Sequence, residues 1–327
     1  MKSFYRSLNP FLPWKQLERP LEWNYIFGRP APLELEIGFG LGDFLVRQAQ
    51  ARPEINFVGI ELGWVQVRRA LRKIALAGAK NVRIIRVDAN VAHERLFPEK
   101  SLQSVYALFP CPWPKKRHAE RRLFSKRFLT LLNSRIAVNG QALIVTDSHP
   151  YAKWIRSQVG GSGFEAVQRM VPPTFLTKYE RKWHDSGQES FYELRLIKRQ
   201  HAKIPPKEDT PLKTRRTKHF DPEDFKPTKF GGEISVDFKD RLYDPKRAVG
   251  MIRAVVGEDN LVQEFWVEIV KKKHLWHIRP AKGCGIVPTA GIQKALDLVY
   301  DAANRSTTLP IQPTKNESPI QSPHGNF

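Results

Sequence analysis

In the stretch LELEIGFGLGDFLV, Leu33 to Val46, an acid at Glu36 stands two residues before Gly38, and Gly40 and Gly42 follow at every second position. Such a turn between a strand and a helix holds a ligand or packs tightly, so its chemistry has to be read from its spacing. A dinucleotide turn runs G-x-G-x-x-G and a phosphate loop ends in G-K-[ST]; the first is nearly met and the second is absent. E-x-G-x-G-x-G instead suits a ligand that carries positive charge and no phosphate. The glycines let backbone approach it closely, and the carboxylate faces its charge. S-adenosylmethionine is such a ligand. Glu61, closing FVGIEL, stands where a dinucleotide fold keeps its acid for ribose hydroxyls. Asp88, in VDAN, is placed to accept an adenine amino group. A nicotinamide oxidoreductase is the competing reading of the same turn.

The segment SVYALFPCPWPKKRHAERRLF, Ser104 to Phe124, adds a second kind of chemistry. A rigid Pro/aromatic turn through Cys111 and Trp113 runs into Lys115, Lys116, Arg117, His118, Arg121 and Arg122. Such a turn beside cations suits stacking a base while gripping its phosphates. Cations at a helix start oppose the helix dipole, which a nearby polyanion would offset. Cys111 stands where enzymes acting on exocyclic amines carry Asn or Asp. Sulfur accepts hydrogen bonds weakly, so a ring nitrogen with its own lone pair is favoured over an amine.

These residues need a frame that brings them together. Strand-like runs at 33–38, 55–62, 82–89, 104–110, 141–147 and 189–198 alternate with helix-like runs near 42–51, 64–77, 121–137 and 149–159. That alternation predicts an α/β fold, a doubly wound, mostly parallel sheet of Rossmann-like type. Ligands of such sheets lie outside the carboxyl ends of the strands. Glu36, Glu61, Asp88 and Asp147 all fall at those ends.

The chain has 327 residues, with 54 Lys+Arg against 33 Asp+Glu, a formal net charge of +21. That balance fits a polyanionic partner, nucleic acid first. No apolar run reaches the ~18 residues of a membrane span, and Pro10, Pro13 and Trp14 interrupt the start where a signal peptide is apolar. A cytoplasmic protein without a membrane partner is expected. Cys111 and Cys284 form neither a disulfide framework nor a metal cluster, so no metal is expected.

The α/β part is expected over 1–199. A basic, Pro-rich linker follows over 200–227, then a small C-terminal α+β appendage over 228–305 and a disordered tail over 306–327. Within the appendage GGEISVDFKDRLYD reads as a strand, PKRAVGMIRAVV as a helix, LVQEFWVEIVKKKHLWHIRPA as two strands around the Lys271–His274 turn, and TAGIQKALDLVYDAAN as a helix. The turn, with Trp276 and Arg279, offers a second RNA clamp.

EIGFGLG, GIEL, VDA, FPCPWPKKRHAERR, TDSHPYAKW and TKYE, in this order, resemble the bacterial single-subunit tRNA (guanine-N7-)-methyltransferases over about residues 30 to 198. The resemblance implies a class I S-adenosylmethionine-dependent methyltransferase acting on N7 of guanine at position 46 in the variable loop of tRNA. It implies cofactor binding by Glu36, Gly38, Gly40, Glu61 and Asp88. The guanine falls to Lys115, Asp147, Thr177 and Glu180, and RNA contact to Arg117, His118, Arg121 and Arg122. Cys111 and Asp147 fall on the catalytic positions, although the family usually has Asp where this chain has Cys111. Tyr179 replaces a commoner Phe, and Arg181-Lys182-Trp183 replace a Gly-rich end. Guanine N7 already presents a lone pair, so slower but retained activity is expected, in a monomer. The other readings are a non-catalytic RNA-binding protein on the same fold, and a methyltransferase of another RNA or of protein.

Overall fold

The computed structural model describes residues 7–305; the expected tail over 306–327 lies outside them. The chain divides into two compact units, one mainly the residues up to Thr210 and the other mainly those from Pro211 onward.

The first unit runs α1 (Trp23–Phe27), β1 (Leu33–Ile37), α2 (Asp43–Ala51), β2 (Asn56–Glu61), α3 (Trp64–Ala77), β3 (Val82–Arg86), α4 (Ala89–Arg95) and β4 (Leu102–Leu108). It continues through a 3-10 turn at Lys116–Arg121 to α5 (Lys126–Arg135), β5 (Ile136–Thr146), α6 (His149–Gln158), β6 (Phe164–Val171), α7 (Lys178–Asp185) and β7 (Phe191–Lys198). The sheet order is β3-β2-β1-β4-β5-β7-β6. The first five strands are parallel, and β7 runs antiparallel to both β5 and β6. Strand order reverses between β1 and β4, which is where a ligand crevice opens in such sheets.

Burial explains why these strands form. β1 is buried at all five positions and β2 at five of six, as expected where helices cover both sheet faces. The helices contribute apolar stripes, Val67, Ala70, Leu71 and Ile74 from α3 among them. Gly42, with φ +75°, begins α2; a Cβ there would meet Ala70 Cβ at 3.0 Å, so α2 and α3 touch along glycine. The basic run after Trp113 forms the 3-10 turn rather than the start of a long helix. α5 begins only at Lys126, capped by Ser125, whose Oγ accepts from Phe128 N at 3.4 Å.

The two sheet edges differ. Along β3, Ile84 N donates to Pro10 O at 2.7 Å and Leu12 N to Ile84 O at 3.0 Å, so the N-terminal segment covers that edge. β6 forms the opposite edge and leaves Val167 and Met170 exposed.

The second unit holds β8 (Arg215–Thr217), β9 (Ile234–Asp244), β10 (Val249–Glu258), β11 (Leu261–Lys272), β12 (Leu275–Pro280) and α8 (Ala290–Arg305). Its sheet order is β8-β12-β11-β10-β9. Two sequence expectations differ from this. The run expected as a helix from Pro245 is strand β10, whose alternating burial and antiparallel pairing with β9 over Val249–Glu258 follow a period of two. Stretches read as linker are packed: Thr217 pairs with Trp276, and Phe225 is buried, with Phe220 lying 5.2 Å from Phe225 and 5.0 Å from Trp276. An aromatic every few residues supplied a core that a polar, Pro-rich composition hid.

Candidate active site

Glu34 and Glu36 sit two residues apart in β1, so both side chains point to the same face, and both are buried. Their surroundings differ. Glu34 is held by Arg52, which donates from Nη1 and Nη2 at 2.8 and 2.7 Å, and by the Tyr106 hydroxyl at 3.1 Å. Glu36 has no cation paired to it, and its Oε2 is buried without a hydrogen-bond partner. Burial above all, with Asp43 and Glu61 nearby, pushes its carboxyl up to about 8; the Leu45 backbone N–H and the Arg47 charge oppose that. A buried carboxyl so perturbed, in a cleft, marks a functional site.

Around Glu36 lies a pocket of about 100 Å³ that opens to solvent, lined by Gly38, Gly40, Phe44, Arg69 and Thr177 among others. Gly38 and Gly40 take φ of +70° and +53°, a backbone that L side chains rarely adopt. A Cβ on either would meet nothing within 4 Å, so the turn leaves room beside its backbone. Glu61 sits against the same turn. Its Oε2 accepts from Gly40 N at 3.1 Å, while Oε1 accepts from Leu62 N at 2.8 Å and Gly63 N at 3.3 Å. Asp88 lies beyond β3 as the N-cap of α4, accepting from Asn90 N at 2.8 Å and Val91 N at 3.4 Å, both at Oδ1.

A buried carboxyl with an unpartnered oxygen, an open glycine turn and a second carboxylate on that turn match the parts of S-adenosylmethionine.

The ends of β4 and β5 bring the other candidates near. Phe109 N donates to Val145 O at 2.7 Å, so Cys111 and Asp147 follow adjacent strand ends. Cys111 is exposed. The turn after it is braced by its own cation: Arg122 donates to Pro112 O at 3.2 Å and to Trp113 O at 3.3 and 3.1 Å, and lies over the Trp154 ring. Arg121 lies over Trp113 at 5.1 Å, and His118 meets that indole edge-on at 5.6 Å. Arg122 is thus spent on the loop. Lys115 and Arg117 remain exposed.

Helix α7 carries Thr177 and Glu180. Thr177 caps it, accepting from Glu180 N at 3.1 Å. Buried Glu180 takes Thr174 N and Phe175 N at 2.7 and 2.9 Å on Oε1 and leaves Oε2 without a partner. Arg47 from α2 donates to Phe175 O at 2.5 Å, and Phe175 and Trp183 pack against the buried Phe44, Leu108, Phe109 and Phe191. Helix α7 and strand β6 were not expected from the sequence. The T-x-x-E of TKYE is a capping signature that marks the helix start. Asp43 and Arg69, which line the pocket, and Arg47, whose charge acts on Glu36, gave no comparable signal, since only the fold brings them there.

The family model described as "Putative methyltransferase" matches residues 30–193. A tRNA (guanine-N(7)-)-methyltransferase of Chlorobium phaeobacteroides is 41% identical over 169 residues, covering 52% of this chain and 83% of that one. One of Thermotoga maritima is 39% identical over 175 residues, 53% of this chain, which spans only 56% of that relative's length. One of Deinococcus radiodurans is 31% identical over 286 residues, 83% of this chain and 88% of that one. The last match is too long to stop at residue 198, so the similarity reaches into the second unit. The chain belongs to the bacterial tRNA (guanine-N(7)-)-methyltransferase family.

Proposed function

We propose that this protein transfers a methyl group from S-adenosylmethionine to N7 of a tRNA guanine, at position 46 in the variable loop, as a cytoplasmic monomer. The observation that carries the reading is the pocket in which Glu36, with an unpartnered buried oxygen, the open glycine turn and Thr177 converge. Family membership directs that pocket to tRNA. Among the described residues no helix is long and apolar enough to cross a membrane, and no group of three acids, His or Cys gathers for a metal.

S-adenosylmethionine, when bound, supplies an electrophilic methyl group. The protein's residues do the rest. Glu36 and Glu61 orient the donor, and Glu180 Oε2, buried and unpartnered, accepts an N–H from the guanine. Thr177 and Asp147 fix its plane, with Lys115 on the adjoining loop. Guanine N7 needs no base, because its lone pair is free in the ring edge. Held there, the donor would supply its methyl group to that lone pair, with the electrons of the broken S–CH3 bond staying on sulfur, so that the positive charge would pass to the purine. Alignment of reactants is worth up to roughly 7–11 kcal/mol, and carboxylates beside the purine favour its new charge. Asp147 and Glu180 are those carboxylates here, in place of the acid that Cys111 does not supply.

Incubation with labelled S-adenosylmethionine and an unmodified tRNA transcript, then digestion to nucleosides, tests the reading. Label in 7-methylguanosine from the variable loop is expected. Label in another nucleoside or in protein overturns the target, and cofactor binding without transfer favours an RNA-binding protein that has lost its chemistry.

A further inference from the structure

Helix α3 runs WVQVRRALRKIALA, with four basic residues and no acid. Its buried stripe, Val67, Ala70, Leu71 and Ile74, faces the sheet, and Arg68, Arg69 and Arg72 are exposed. The spacing is costly: Arg68 with Arg72 and Arg69 with Lys73 are like charges at i, i+4, each destabilising a helix by a few tenths of a kcal/mol, about 0.2–0.5. Lys73 is relieved by Asp43. Arg68, Arg69 and Arg72 make no ion pair among the described residues. The second unit spends its cations otherwise. Arg215 pairs with Asp297, Arg253 with Asp240 and Glu264, and Arg279 with Glu268.

Trp64 begins α3 and is half exposed, held edge-on at 5.4 Å by Phe11. It lies four residues before Arg68 and eight before Arg72, so the three side chains share one face over about 12 Å of helix. The neighbouring Arg69 lines the cofactor pocket together with Lys178 and Tyr179 of α7. The strip therefore runs beside the pocket, each of Trp64 and Arg68 followed directly by a pocket-lining residue, Val65 and Arg69, and it presents an aromatic platform followed by unpaired guanidinium groups. That order suits single-stranded RNA, with a base stacked on the ring and phosphates on the cations.

We infer that Trp64, Arg68 and Arg72 form an RNA-docking strip that takes the tRNA sugar-phosphate backbone beside the methyl-donor pocket, with one splayed base on Trp64. The inference rests on the methyltransferase reading above and adds to it a surface separate from the loop after Trp113. Each phosphate contact contributes about 0.7–0.9 to the slope of log affinity against log salt.

The test uses the full chain and a fluorescent tRNA transcript over a salt series, with calorimetry for S-adenosylmethionine. R68E/R72E, with R68Q/R72Q as the milder pair, is expected to flatten the slope by about 1.4–1.8 and raise the tRNA KM at least tenfold. Cofactor affinity and melting temperature should stay unchanged. W64A is expected to weaken tRNA binding about tenfold with the slope retained. An unchanged slope and KM in both arginine pairs, while the wild type forms 7-methylguanosine, overturns the strip alone. A slope flattened in the arginine pairs, together with a wild type that forms no 7-methylguanosine, sustains the strip and removes the catalytic reading.

Discussion

Glu36 and Cys111 are the two residues at which the proposed reaction is most directly tested. With its carboxyl pushed up to about 8 by burial, Glu36 keeps its proton in the free protein through neutral pH. A bound cationic amino group favours the carboxylate, so cofactor binding releases a proton below that pH. Affinity for S-adenosylmethionine should then climb as pH rises from about 5 and level off above 8. Calorimetry in buffers of different ionisation heat reads the released proton, and E36Q should flatten the profile and weaken binding at least tenfold. The same shift acts on the empty protein in the opposite sense: ionising Glu36 only in the unfolded chain lowers stability as pH rises from 4.5 to 8. For Cys111, C111S should leave kcat within twofold, since no thiol chemistry is needed, whereas C111D should raise kcat several-fold by placing a carboxylate near the cationic purine. Equal rates for all three, measured in single turnover, would mean that Asp147 and Glu180 already supply all of that stabilisation. The placement of Glu36 and Glu61 beside the glycine turn was legible in the sequence, because both stand near the ends of strands that lead to it. The unpartnered Oε2 of Glu180 was not legible, since its loop partners at 174 and 175 depend on a fold-level turn.

At the scale of elements, α7 is a short helix set by one cap and two aromatic anchors. Removing the cap with T177A should cost about 1 kcal/mol locally. Faster amide exchange in 178–185 and a raised tRNA KM, with cofactor affinity less affected, are the outcomes to measure. Periodicity made the parallel strands and α3 readable, because buried runs of five or six β-formers leave little choice. It failed at β10, where Lys246, Arg247 and Arg253 among apolar residues imitate a helical stripe while pairing with β9 decides the matter. It failed also at β6, an edge strand whose exposed positions alternate without a strong apolar face.

At the scale of the whole chain, the net charge of +21 resolves into distinct groups. Lys271, Lys272, Lys273 and His274 form an exposed tip between β11 and β12, while the adjoining Trp276 is buried and holds the hairpin with Lys271 over its ring at 5.6 Å. That tip can grip phosphates, but its indole is not free to stack a base. K271E/K272E/K273E should therefore flatten the salt dependence of tRNA binding by about 2 or more without changing cofactor affinity; an unchanged slope makes the second unit a folded cap. Composition alone foretold a polyanionic partner. It could not sort paired cations from unpaired ones, because that depends on which acids the fold brings beside them.

The unequal edges of the first sheet bear on how the protein behaves when crowded. The β3 side is closed by Pro10–Leu12, but β6, the last strand of the sheet among the described residues, presents a free edge together with exposed Val167 and Met170. An open strand edge is a template for another chain, so self-association on storage or overexpression should begin there, strand against strand, and a lysine at position 167 should delay it in a light-scattering time course.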